Sequence, residues 1–317
     1  MQLLRIVTRT SALAMVQAAM VVERIEAASA ERCQIIGITT RGDKALDKSL
    51  TQIGGDGVFV KELERALLDE RADVAVHSLK DLPTDIDPRL NAGAVLERGD
   101  PRDVLVSAGN AYPSIAGLPL RAVVGTSSLR RRSQLGAQRP DLRIEDLRGN
   151  VHTRVRKVLE GSYDCAVLAY AGLERTGLLS TVGGGSVLPV AEMVPAVGQG
   201  ALFAQCRRGD VRALRALKPL NDSATAQAVA AERAFLRRMG GGCAVPVGCY
   251  VRVDAGGWTL DAFAGSPDGR AAVCRRCCAS QSDATQLSVR AEAVASEMLA
   301  SGAAALIAQF KVGGATA

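Results

Sequence analysis

Cys243 has the surroundings that point most directly at chemistry. It follows three glycines in the run Met239-Gly240-Gly241-Gly242-Cys243-Ala244-Val245-Pro246-Val247-Gly248. Glycine reaches left-handed backbone angles without a side-chain clash, so this triplet ends the preceding helix and leaves the thiol without a bulky neighbour. Pro246 stiffens the chain on its C-terminal side. A thiol presented this way is reachable by a large group; the plainer alternative is a small buried hydrophobe. The second chemical stretch is Ser78-Leu79-Lys80-Asp81-Leu82-Pro83. It lies at the C-terminal end of a predicted parallel strand, Ala72 to His77, where open α/β sheets place their sites. A carboxylate at Asp81 can transfer protons or steady a developing cation, the alternative being a solvated charged turn.

A third pattern is arginine at strand-to-helix junctions or in the first turns after them. Arg9-Thr10-Ser11 joins a strand to a helix that carries Gln17 further along, and Ser11 serves equally as an N-cap. Gly125-Thr126-Ser127-Ser128-Leu129-Arg130-Arg131-Arg132 repeats the layout. Arg148 to Arg154 and Ala171 to Arg175 supply two further cases. Cations are unfavourable at a helix N-terminus, whose free N–H groups attract anions instead. Arginine there makes sense if an anion sits between the guanidinium and those N–H groups. Guanidinium grips carboxylate or phosphate in a two-pronged way, so the pattern predicts one anion-binding cleft lined from two α/β units.

The elements that position these residues are legible from period and punctuation. Leu4 to Thr8 reads as a strand, Ser11 to Ile25 as a helix, and Gln34 to Thr40 as a second strand. Arg41 to Asp56 reads as a polar loop ending in the glycine-rich Ile53 to Gly57, and Val58 to Leu68 as a helix. Leu96 to Val104 is a turn-rich crossing into a second unit with predicted strands Val104–Val106, Ala122–Gly125, Leu142–Leu147 and Tyr163–Ala169. Thr181 to Ser186 is a glycine-rich loop, and Pro195 to Gly200, with Gln199, is the crossing back. Two crossings between two α/β units imply a ligand between lobes. A helix follows from Ala224 to Met239, with Asn221-Asp222-Ser223 offering cap oxygens and Ala228, Ala231, Phe235, Leu236 and Met239 on one face. Strands Gly248–Val253, Trp258–Ala264 and Ala271–Ala279 predict an antiparallel sheet. A helix from Ala284 to Phe310, interrupted near Gly302, closes the chain. The fold class is therefore α/β, two binding-protein-like α/β domains plus a small α+β domain with a three-stranded antiparallel sheet. The domains are 1–97 with 199–218, 103–193 and 221–317.

Composition narrows the function. The 317 residues are 48% hydrophobic, enough for a sizeable core. No run of about eighteen apolar residues occurs, so no membrane span is expected. The N-terminal apolar stretch is too short for a secretory signal, and eight cysteines without one predict reduced thiols in a cytoplasmic protein. The net charge is +6, carried almost wholly by arginine, while aromatic residues are 3% of the chain. That scarcity argues against a base-stacking nucleic-acid surface, so small polyanions fit better. Cys274-Arg275-Arg276-Cys277-Cys278 has no second Cys/His pair at finger-like spacing, and no metal is expected. On its predicted strand Cys274 and Cys278 share a face.

Read together, Leu220-Asn221-Asp222-Ser223-Ala224-Thr225, Ala231-Glu232-Arg233-Ala234-Phe235-Leu236, Gly240 to Cys243, His77 to Asp81 and Gly125 to Arg131 resemble the porphobilinogen deaminase family. The resemblance runs from Ile6 to Gly248 and is weak in the C-terminal sheet and helix. It implies a three-domain cytoplasmic transferase, taken as a monomer, that joins porphobilinogen molecules into hydroxymethylbilane on a dipyrromethane cofactor. It implies a thioether at Cys243 and general acid/base work at Asp81. Each porphobilinogen brings an acetate and a propionate. The resemblance accordingly makes Arg9, Ser11, Lys80, Thr126, Ser127, Ser128, Arg130, Arg131, Arg148, Arg154 and Arg175 carboxylate-binding positions, with Gln17 and Gln199 as further contacts. Asp56 stands where the family often has lysine, and Gln205 where glutamate is common.

Two other classes use some of the same features. A solute-binding protein shares the two-lobed design but needs neither Cys243 nor Asp81. A nucleic-acid binder would use the arginines for phosphates, with affinity falling steeply with salt. The porphobilinogen reading expects neither nucleic acid nor membrane as a partner.

Overall fold

The computed structural model describes residues 3–44, 57, 59–241, 245–280 and 286–313. In chain order the first elements are β1 (Leu4–Arg9), α1 (Ala12–Ala28), β2 (Cys33–Ile38), α2 (Arg41–Lys44), α3 (Lys61–Leu68), β3 (Val74–Ser78) and β4 (Leu90–Val95). Next come β5 (Asp103–Val106), β6 (Val123–Gly125), α4 (Leu129–Gln138), β7 (Arg143–Glu145), α5 (Val151–Leu159), β8 (Cys165–Ala169), α6 (Tyr170–Arg175), α7 (Leu178–Thr181) and β9 (Ser186–Val187). The chain continues through β10 (Leu202–Arg207), α8 (Val211–Leu217), α9 (Ser223–Arg238), β11 (Val247–Asp254), β12 (Gly257–Gly265) and β13 (Ala272–Ala279). It ends in α10 (Leu287–Met298) and α11 (Ala304–Gly313). The chain divides into two compact units, residues 1–99 with 200–226 and residues 100–199 with 227–317.

The first unit is built on a sheet ordered β2-β1-β3-β10-β4. β1 runs parallel to β2 and β3, whereas β10 is antiparallel to both β3 and β4. Leu4, Ile6 and Val7 of β1 are all buried, on both faces of the sheet, as a central strand requires. α1 covers one face through Ala14, Ala18, Val21 and Ile25, spaced three or four residues apart. Ser11 caps it, its Oγ accepting the Ala14 N–H at 3.4 Å. α3 covers the other face through Leu63, Ala66 and Leu67.

In the second unit the sheet order is β7-β6-β8-β5-β9, with β6 parallel to β7 and β8 and β5 antiparallel to β8 and β9. Each large sheet thus holds one antiparallel strand, delivered by a crossing: β5 after the first, β10 after the second. The same unit contains the antiparallel sheet β11-β12-β13. Phe235 and Met239 in and just after α9, with Ala291, Val294 and Met298 of α10, pack on its inner face against Cys249, Val251, Trp258 and Leu260. Asp222 caps α9 by accepting the Thr225 N–H at 2.7 Å. The stretch Leu287–Phe310 is, by length and composition, apolar enough to cross a membrane, although its apolar residues do not form an unbroken run. Ala291, Ala295, Met298, Ala303 and Ile307 line its buried side, and Gly302 breaks it with φ 107°.

Three glycines weld the second unit's parts together. A Cβ on Gly136 of α4 would lie 2.7 Å from Asp268 O, and one on Gly265 would lie 2.2 Å from Ser133 Oγ. Gly269, at φ +74°, would place a Cβ 2.3 Å from Ala137 N. The backbone of α4 therefore lies directly on the β12–β13 turn. Nearby, fully buried Glu232 of α9 accepts the Gly198 N–H at 2.7 Å and the Val251 N–H at 2.9 Å.

Several sequence expectations are corrected. Residues 41–44 are helical rather than loop, because Asp43 folds back to accept the Thr40 N–H and hydroxyl at 3.1 and 2.8 Å. The glycine-rich loop 53–56, with Asp56, lies outside the described residues. β4, β9, β10 and α8 are additional elements. β4 and β10 carry Asn91, Gly93, Gln205 and Arg207, which blur their apolar pattern.

Candidate active site

In the first unit, a concavity is lined by Arg9, Gln17, Phe59, His77, Ser78 and Asp81 among others. β3 ends at Ser78, and a single 3-10 turn, Leu79–Asp81, follows it. Leu79 is buried and holds that turn, while its N–H donates at 3.0 Å to the O of Ala201, the residue leading into β10, and so anchors the turn carrying Lys80 and Asp81. Gln17 reaches the same place from α1, and its Oε1 accepts the Ser78 hydroxyl at 3.0 Å.

Arg9 enters from the end of β1. Its guanidinium lies 4.0 Å over the Phe59 ring and forms a two-pronged pair with Asp43. Burial pushes the Asp43 carboxyl up, but Arg9 and the Thr40 donors outweigh it and hold it below its ordinary value. Behind the concavity runs a chain from His77 Nε2 to Gln205 Oε1 at 3.1 Å, then from Gln205 Nε2 to Glu64 Oε1 at 3.0 Å. With Gln205 donating to Glu64, its Oε1 accepts, so His77 carries its proton on Nε2. Burial pushes His77 down to about 4, Gln205 opposes this, and the Arg9 charge adds to the depression. His77 is therefore neutral at physiological pH.

The second unit holds a different arrangement. Asp103, at the start of β5, is fully buried between Arg130 and Arg131, each with a nitrogen 2.7 Å from one of its oxygens. Gln199 Nε2 donates to the same carboxylate at 2.9 Å and to Pro101 O at 2.7 Å. Arg130 also donates to Val194 O at 2.6 Å, and Gln134 grips the Val194 N–H and C=O. Burial favours the neutral form of Asp103, but the two guanidiniums hold its carboxyl far below the usual range. One anion beside the arginines of α4 is thus the chain's own Asp103, held at their guanidiniums. Sequence reading missed this residue, although an acid opening an otherwise apolar buried strand signals a cationic partner.

The hydroxyl residues have structural partners. Ser128 Oγ caps α4 by accepting the Arg131 N–H at 3.4 Å, and Thr126 Oγ1 accepts the Ser128 N–H at 3.2 Å. Ser127 donates to Leu147 O at 3.1 Å. Arg154 Nε donates to Gly149 O at 2.8 Å, and Arg148 lies 3.6 Å from Asp146. Arg175 ends α6, half-buried. Lys80, Arg148, Arg154, Arg175 and Gln199 each have further interaction partners. Cys243 lies outside the described residues; α9 leads toward it and β11 leads away. Among the described residues no group of three or more His, Cys, Asp or Glu side chains gathers as a metal site. Cys274 and Cys278 are exposed on one face of β13, and Cys277 turns to the other.

Two family models match the chain. The porphobilinogen deaminase dipyromethane cofactor binding domain matches residues 4–215, and the porphobilinogen deaminase C-terminal domain matches residues 226–300. A protein named porphobilinogen deaminase from Bordetella parapertussis is 46% identical over 310 residues, 97% of this chain and 96% of that protein. One of the same name from Thiobacillus denitrificans is 44% identical over 308 residues, covering 97% and 98%. A solved substrate-binding domain of a putative amino acid ABC transporter from Streptococcus pneumoniae aligns with a TM-score of 0.42 at 10% identity, covering 75% of this chain and 95% of that domain.

Proposed function

The chain belongs to the porphobilinogen deaminase family, and from that premise we propose how its residues divide the work. The enzyme is a transferase that condenses four porphobilinogen molecules head to tail, with loss of ammonia, and releases hydroxymethylbilane by hydrolysis. Its cofactor is dipyrromethane, which when bound supplies the primer end to which substrate is joined. The residues present fit an acidic pyrrole cofactor. Two guanidiniums share the single carboxylate of Asp103, and the buried Arg130 Nε–H has no acceptor among the described residues.

In this reading Cys243 holds the cofactor through a thioether, and Asp81 is the catalytic carboxylate. As ammonia leaves the aminomethyl carbon of porphobilinogen, positive charge spreads over the pyrrole ring. Asp81 accepts a hydrogen bond from the pyrrole N–H and steadies that charge. It then takes the proton released from the ring carbon once the new carbon–carbon bond has formed. Arg9, Ser11 and Lys80 bind cofactor or substrate carboxylates in the first unit, with Gln17 as a further contact. Thr126, Ser127, Ser128, Arg130, Arg131, Arg148, Arg154 and Arg175 do so in the second, with Gln199 as a further contact. The neutral His77 adds no competing cation beside Arg9.

The observation that carries this reading is the gathering of Arg9, Gln17 and Asp81 around one concavity at the end of β3. The domain division 1–97 with 199–218, 103–193 and 221–317 is supported by the separate sheets, and we add a monomeric, cytoplasmic enzyme. Intact mass of the purified protein and of Cys243→Ser tests the attachment. An excess equal to a dipyrromethane, absent from the variant, is the expected result. A bare polypeptide mass from cells that make porphobilinogen would refute the thioether.

A further inference from the structure

The concavity of the first unit already contains a carboxylate at its arginine. Asp43 engages both prongs of the Arg9 guanidinium: Nε lies 3.3 Å from Oδ2, and Nη2 contacts Oδ1 more closely. A ligand carboxylate binding Arg9 in the two-pronged manner would need the same two nitrogens. Asp43 is aimed there by its own supports. Thr40, fully buried, donates both its hydroxyl and its N–H to Oδ2. Gly42 lets α2 approach, because a Cβ on it would lie 2.2 Å from the Phe59 ring, and that ring in turn carries the Arg9 guanidinium at 4.0 Å.

Exposure separates this pair from the Asp103 cluster. The Arg9 and Asp43 side chains are 23% and 15% exposed, against 4%, 7% and 0% for Arg130, Arg131 and Asp103. Partners that water reaches exchange at small cost, whereas the buried cluster is a fixed part of the core.

We propose that Asp43 is an internal carboxylate that competes with the carboxylates of porphobilinogen for Arg9, so that substrate binds only as the Arg9–Asp43 pair opens. The inference rests on the reading that Arg9 binds a substrate carboxylate. An occupied receptor weakens apparent affinity by the fraction of time it is closed. Releasing a partly exposed pair therefore raises affinity about two- to fivefold.

Steady-state kinetics of the cofactor-loaded enzyme and its Asp43→Asn variant test this. Asparagine keeps the shape and an oxygen for Thr40 but removes the charge. The expected result is a KM for porphobilinogen about two- to fivefold lower with a smaller change in kcat. The gain should vanish when Arg9→Gln is combined with Asp43→Asn. Loss of a merely structural pair would raise KM or lower kcat instead. A raised KM in Asp43→Asn, with a raised KM in Arg9→Gln, would show that Asp43 positions Arg9, overturning the competition while leaving Arg9 as a ligand. An unchanged KM in Arg9→Gln would overturn the Arg9 reading itself. Should Asp43→Asn fail to fold, Thr40→Val loosens Asp43 without removing it and must shift KM in the same direction by less. An unchanged or raised KM there refutes the proposal.

Discussion

Replacing Asp103 by asparagine is the sharpest probe of how the arginine helix is held. The carboxylate is fully buried, lies 2.7 Å from nitrogens of both Arg130 and Arg131, and accepts from Gln199 at 2.9 Å. Asparagine retains the oxygen for Gln199 and Arg131. Its NH2 group, however, meets Arg130 Nη1 donor to donor, and two buried guanidiniums lose their only counter-charge among the described residues. Removing one partner of a buried pair costs about 3–5 kcal/mol. For a unit of nearly two hundred residues this lowers Tm by about 10 °C. The pH dependence carries the sign. The folded-state pKa of Asp103 is depressed because its two arginines outweigh burial. Its contribution is therefore complete above the unfolded value near 3.9 and fades as pH falls below that. Unfolding followed by circular dichroism at pH 7 and pH 3 checks both points. The gap between wild type and Asp103→Asn should be about 10 °C at pH 7 and narrower at pH 3. A gap under about 2 °C at pH 7, or one that does not narrow in acid, would refute the ion-cluster account.

Asp81→Asn should leave the cofactor mass in place yet lower turnover by at least about a hundredfold, since the pyrrole N–H loses its anionic partner; single-turnover assays read this, and near-normal turnover would remove Asp81 from the chemistry. Gly269→Ala should lower stability by about 3 kcal/mol, combining left-handed strain with the close approach to Ala137. Gly161→Ala, at φ +79° with open space around it, should lose only about 1 kcal/mol. Equal losses in urea titrations of the two variants would contradict the backbone contact between α4 and the β12–β13 turn. Phe235→Ala, deleting a ring with no exposed surface from the core under the antiparallel sheet, should cost about 3–5 kcal/mol in the same titration.

Features that depend on near neighbours in the chain were legible in the residues alone. Helix α9 with its Asp222 cap and its stripe of Ala228, Phe235 and Met239 follows from a period of 3.6 and a side-chain oxygen in reach. The three C-terminal strands and the break at Gly302 follow from alternation and from glycine's freedom at positive φ. The strand-to-turn placement of Arg9, Asp81, Arg130 and Arg131 was legible for the same reason. The partners of those residues were set by the folded chain. Arg9 meets a carboxylate 34 residues away, Arg131 one 28 residues away, and Gln199 reaches back 96 residues to the same aspartate. β10 joins β3 across more than 120 residues, and that pairing brings Ala201 O to the Leu79 N–H at the start of the turn bearing Asp81. Local propensity cannot choose among many acids for each guanidinium. Burial makes the choice, because a charge removed from water persists only where the fold delivers its counter-charge.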